Sequence, residues 1–116
     1  MAKPNPSDAI MVTTTDGIQD HKVALYLGIV SGEAIMGTNL FKDFFASIRD
    51  VVGGRAGAYE KSLREAKELA ITQMKEEAYN LGAHAVVGVD LDYEVIGGDD
   101  KTMLMVSANG TAVKLG

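Results

Sequence analysis

The sequence predicts an α+β domain in which a small mixed β-sheet carries helices on one face. Three observations lead there: a long amphipathic stretch after Gly57, a run of strict apolar/polar alternation from Ala85, and a second β-rich run that returns from it as a hairpin.

Ile10 to Thr15 is β-branched and stops at Asp16-Gly17, so it reads as a short strand. Val23 to Met36 is a longer strand, interrupted by Gly28 and Gly32, where a bulge or a close backbone approach is expected. Thr38 or Asn39 can cap a helix whose apolar stripe is Phe41, Phe44, Phe45, Ile48 and Val52, ended by Gly53-Gly54. The main helix is predicted over Ala58 to Leu81, with Tyr59, Leu63, Ala66, Ala70, Met74, Ala78 and Leu81 on one face and Gly82 just past its end. Its outer face carries Glu60/Arg64, Lys61/Glu65 and Arg64/Glu68 at helical spacing, a solvated charge lattice.

In the next strand Ala85, Val87, Val89, Leu91, Tyr93 and Val95 form the expected core face, with Asp90, Asp92 and Glu94 on the other. Gly97-Gly98-Asp99-Asp100 turns the chain into a last strand from about Thr102 to Leu115. Setting Val95 against Thr102 pairs Tyr93 with Leu104, Leu91 with Val106 and Val89 with Ala108, so that the apolar residues coincide. On the reverse face the same register puts Met103 against Glu94 and Met105 against Asp92. The helix, about 36 Å long at ~1.5 Å per residue, matches a strand of roughly 40 Å and can lie back along it.

With 116 residues, 47% of them hydrophobic and 23% charged, the chain has the composition of one globular domain. Residues 1–9, with Pro4 and Pro6, read as a flexible N-terminus, and 10–116 as the domain. A net charge of −5 opposes nucleic acid and anionic membrane surfaces as partners. Neither a secretory leader nor a membrane-length apolar run is recognised, and the expected location is the cytoplasm. The absence of cysteine removes disulfides, thiolate metal sites and thiol nucleophiles.

Five blocks carry a resemblance: Tyr26 to Ala34, Asn39 to Asp50, Gly53 to Glu60, Leu81 to Asp90 and Tyr93-Glu94-Val95. Together they resemble the YbjQ-like family from Ile10 to Leu115. The resemblance implies a βαββ subunit similar to dodecin in topology, a homopentameric ring, no assigned activity, and the family label "putative heavy-metal-binding". A ring also agrees with the residues themselves. A reverse face mixing Met103 and Met105 with Asp92, Glu94 and Ser107 is too apolar to stay wholly wet, and closure protects strand edges.

Candidate sites are few. Gly53, Gly54, Arg55 and Gly57 open onto a helix N-terminus, where free N–H groups and the dipole favour a phosphate or carboxylate ligand. They follow a helix and lack the lysine of a P-loop, so the plainer reading is a turn. Met103 and Met105 offer two thioethers to a soft metal ion, although methionine more commonly serves packing. The row Asp90, Asp92 and Glu94 has side chains roughly 6.5–7 Å apart and reads as a solvated or inter-subunit face. His21 and His84 show no ligand spacing, and Ser31 lies in no nucleophile elbow. No catalytic residue is assigned and no cofactor is named. The expected function is a homo-oligomer binding a small ligand or metal ion, the alternative being a small enzyme with its site between subunits.

Overall fold

The computed structural model describes residues 5–37, 54–97 and 103–116. Four strands form one sheet: β1 (Met11–Val12), β2 (Val23–Met36), β3 (Ala85–Ile96) and β4 (Met103–Leu115), with helix α1 (Gly54–Asn80) between β2 and β3. The spatial order is β1-β3-β4-β2; β1 is parallel to β3, and β4 is antiparallel to both neighbours. Strands β2 and β3 therefore run in the same direction on either side of the C-terminal strand. The mixed sheet with helix on one face is as predicted, and β2 has the predicted bounds. The stripe Phe41 to Val52 and most of the turn after Gly97 lie outside the described residues.

Helix α1 buries Ala66, Ala70, Met74 and Ala78 against Val30, Ala34, Met36, Leu104, Val106, Ala108 and Ala112. Small residues on both sides allow a close approach, and at Gly32 the strand touches the helix backbone itself: a Cβ there would collide with the Ala70 carbonyl oxygen and stand 2.7 Å from the Met74 nitrogen. Gly28 serves the other use foreseen for it, with φ +119° at a register shift in β2. At the far end of α1, Gly82 adopts φ +83°, its N–H donates to the Tyr79 carbonyl at 2.9 Å and the Ala83 N–H to the Ala78 carbonyl at 3.0 Å. That pair of bonds is a Schellman cap, closed by contact between buried Ala78 and Ala83.

Three expectations are corrected. The helix begins at Gly54, not after Gly57, and Leu81 lies past its end, 46% exposed. The β3–β4 register is displaced by two residues, with Val95 opposite Leu104, Tyr93 opposite Val106, Leu91 opposite Ala108 and Met105 opposite Glu94. A shift of two preserves which face each side chain occupies, so matching apolar faces could not distinguish the two alignments.

The third correction concerns β3. Gly88 adopts φ +63° within a bulge between Val87 and Asp90. The bulge is held from β1's side, where the Gly88 N–H donates to Thr15 O at 2.8 Å and the Val89 N–H to Thr13 O at 3.0 Å. Faces exchange across it. Val86 joins the main core along with Val89 and Leu91, whereas Ala85 and Val87 turn to the reverse face and form a second cluster with Val113, Ile18, Val23 and Leu115.

Ahead of the domain, Pro6–Ala9 form a 3-10 turn capped by Asn5, whose Oδ1 accepts from the Ser7 N–H at 3.1 Å. The Asn5 side-chain amide reaches Glu76 of α1 at 3.2 Å, and Ile10 enters the core. Ser7 is buried and its hydroxyl has no hydrogen-bond partner among the described residues.

Candidate functional site

Because β2 ends the sheet and α1 lies above it, a groove forms along the outer side of the strand. Ser31 to Ile35 provide one wall and Leu69, Gln73 and Glu77 the other, around a volume of about 550 Å³ open to solvent. Gly32 sets its depth by letting the helix down onto the strand. The Glu33 N–H points outward, away from β4, and donates to Gln73 Oε1 at 3.1 Å. By the alternation of an antiparallel ladder, Ser31 and Ile35 also turn their backbone groups outward. The groove thus combines strand backbone unpaired among the described residues, the exposed Leu69 side chain and the Glu77 carboxylate, while the side chains of Ser31, Glu33 and Ile35 alternate to the reverse face. It has binding surface, and among the described residues no hydrogen bond ties the Ser31 hydroxyl to a carboxylate or imidazole that would activate it.

The residues singled out in the sequence do not gather here. Gly54, Arg55 and Gly57 form the first turn of α1 and not a loop ahead of it, and Gly53 lies outside the described residues. Met103 and Met105 sit on the reverse face of β4, half-buried, with Met105 between Ile35 of β2 and Glu94 of β3. Asp90, Asp92 and Glu94 share that face, and repulsion from Asp90 pushes the Asp92 carboxyl above its ordinary value of 3.8. Across the same face, Glu33 and Asp92 both flank Ser107.

Among the described residues there is no group of three or more histidine, cysteine, aspartate or glutamate side chains able to hold an ion. His84 is engaged, because its Nδ1 accepts the Leu115 N–H at 2.9 Å. A neutral imidazole that accepts at Nδ1 carries its proton on Nε2, leaving no free lone pair for a metal unless that bond breaks. His21 is exposed in the turn before β2, bridged to Ile18. The two thioethers alone fall short of the four ligands of a structural zinc site and suit a softer ion such as Cu(I) better.

The groove was not foreseen in the sequence. Its one signal was Gly32, whose close approach places Gln73 over the strand; nothing in the spacing of Glu33 and Gln73, forty residues apart, couples them.

A family model described as "Putative heavy-metal-binding" matches residues 10–116. Among solved structures, the chain is similar to a protein of unknown function of the DUF74 family from Pediococcus pentosaceus. The TM-score is 0.58 and the identity 17%, over 92% of this chain and 98% of that one. The likeness shows a common fold. No helix among the described residues is long and apolar enough to cross a membrane.

Proposed function

The chain belongs to the YbjQ-like family, and on that premise we propose that it works in the cytoplasm as a cyclic homo-oligomer, a pentamer of dodecin-like βαββ subunits, that binds a small ligand or metal ion without turning over a substrate. The observation that carries this reading is the state of the sheet edges. Strand β2 is fourteen residues long, and nothing among the described residues pairs with its outer side; Leu25, Tyr26, Ile29 and Ile35 along it are 53–80% exposed. A long apolar edge left open invites uncontrolled pairing, and ring closure removes it without polymerisation. Binding is favoured over catalysis because, among the described residues, no hydrogen-bonded set of nucleophile, base and orienting partner stands in the groove or on the reverse face.

Since the described residues of one subunit gather no group of three histidine, aspartate or glutamate ligands, we place an ion between copies, with Met103 and Met105 on the reverse face as its candidates. Native mass spectrometry of the purified protein, with elemental analysis, tests the proposal. The expected result is a single cyclic oligomer retaining a stoichiometric small molecule or ion. A monomer, or an empty oligomer that turns over a substrate in a panel screen, overturns it. Calorimetry should show no tight zinc binding, and a Cu(I) isotherm that survives Met103→Leu with Met105→Leu would remove those residues as ligands.

A further inference from the structure

Two unexplained surfaces fit each other. On β3, the helix-side residues Leu91, Tyr93 and Val95 extend the core face, yet α1 lies over β2 and β4 and leaves Tyr93 48% and Val95 62% exposed. Beyond Val89, where the bonds from Thr13 and Thr15 end, the outer side of β3 has no partner among the described residues. At the opposite end of the sheet is the groove of β2, with Leu69 53% exposed on a wall of α1 that stands above a strand edge unpaired among the described residues.

We propose that the groove between β2 and α1 is the acceptor for the Asp90–Ile96 edge of a second copy of this chain, joined in parallel and repeated head to tail around the ring. The proposal rests on the cyclic assembly above and names its contact. The orientation follows from topology: β2 and β3 are both antiparallel to β4, and rotation about a ring axis that continues the sheet from copy to copy brings β2 beside a β3 pointing the same way. Face parity agrees. Val30, Ala34 and Met36 on β2 and Leu91 and Tyr93 on β3 belong to the helix side of the sheet. A continued sheet therefore brings the next copy's Tyr93 and Val95 beneath the overhanging Leu69 wall, covering apolar surface on both partners. Gln73 keeps the outward Glu33 N–H satisfied until the incoming strand supplies a carbonyl in its place. On the reverse face, Glu33 comes onto the same side as the next copy's Asp90, Asp92 and Glu94, so the contact tightens as salt screens these carboxylates.

The test uses Val95→Lys, which spoils the donor edge, and Leu69→Lys, which spoils the acceptor groove; both positions are exposed in the subunit. Circular dichroism establishes that each variant folds, with Tyr93→Lys replacing Val95→Lys where it does not. Tyr79→Lys, an equally exposed helix position outside the groove, is the control. Native mass spectrometry at micromolar concentration should find wild type and Tyr79→Lys as one closed oligomer and each of the other two as monomer. Mixed one to one, the two monomeric variants should give a heterodimer and nothing larger, since each retains the half that the other lacks. Added salt should strengthen wild-type assembly. Variants that remain fully oligomeric, monomers that fail to complement on mixing, or salt that dissociates the wild type would overturn this contact while leaving a ring of other geometry standing. A monomeric wild type removes both.

Discussion

A methyl group added at Gly32 would stand inside the hydrogen-bonded backbone of α1, where neither helix nor strand can retreat without opening the core between them. Gly32→Ala should therefore cost ~1–3 kcal/mol, the usual range for overpacking, whereas Gly37→Ala, with nothing within 4 Å and an ordinary φ, should be nearly silent in the same urea titration. Ser7 presents the opposite case. Its hydroxyl is buried without a partner, so Ser7→Ala removes a desolvated group and should raise stability by about 1 kcal/mol if the site stays packed. Asp92 is set chiefly by its carboxylate neighbours. Asp90 foremost, then burial and Glu94, raise its carboxyl pKa in the folded chain, so ionisation is easier in the unfolded chain. Its contribution is favourable while the carboxyl stays protonated and is lost as pH rises through the folded value. Asp92→Asn should accordingly stabilise the protein at neutral pH and lose that advantage in acid below the ordinary value of 3.8, as read by denaturation midpoints at the two conditions.

The strand β3 shows where element-level reading succeeds and where it fails. Its alternation from Val89 to Val95 is regular enough to assign both faces, and the structure keeps that assignment. The bulge escaped because Gly88 falls in a slot where alternation already expects a non-core residue, so one extra residue leaves the visible pattern intact while exchanging the faces of Ala85, Val86 and Val87. The positive φ of Gly88 and the shifted pairing with β4 reveal it. Gly88→Ala meets no atom within 4 Å, so its penalty is the left-handed backbone itself, ~1–2 kcal/mol; Gly88→Asn should recover part of that loss in thermal melts. The register failed for a related reason: apolar partners repeat every two residues on both strands, and what fixes the true pairing includes a Gly110 packed against Val86 and Val89, a steric fact with no one-dimensional signature. Helix α1 was legible from Ala66 to Ala78, and its end from Gly82, because a cap leaves its residue in the chain.

At the scale of the molecule, the sequence carries the layering and the β3–β4 hairpin, but neither the place of β2 beside β4 nor the groove, which depends on one backbone contact between distant elements. A radius of gyration of 17.1 Å exceeds the ~13 Å of a compact chain this long, in keeping with an edge and a face that await a neighbour. The position of β4 has one more consequence, for synthesis. β4, inside the sheet, is the last of the described strands to be made, and among the described residues β2 pairs with β4 alone. From the moment Met36 leaves the ribosome until Leu115 follows it, β2 waits without that partner and the four-stranded sheet cannot close. Folding thus waits for β4 and is dominated by long-range contacts, a slow route that exposes the nascent chain to aggregation. A chain ending at Gly97 should stay unfolded by circular dichroism and bind holdase chaperones, and supplying residues 103–116 as a separate peptide should restore structure by inserting between two strands that cannot otherwise meet.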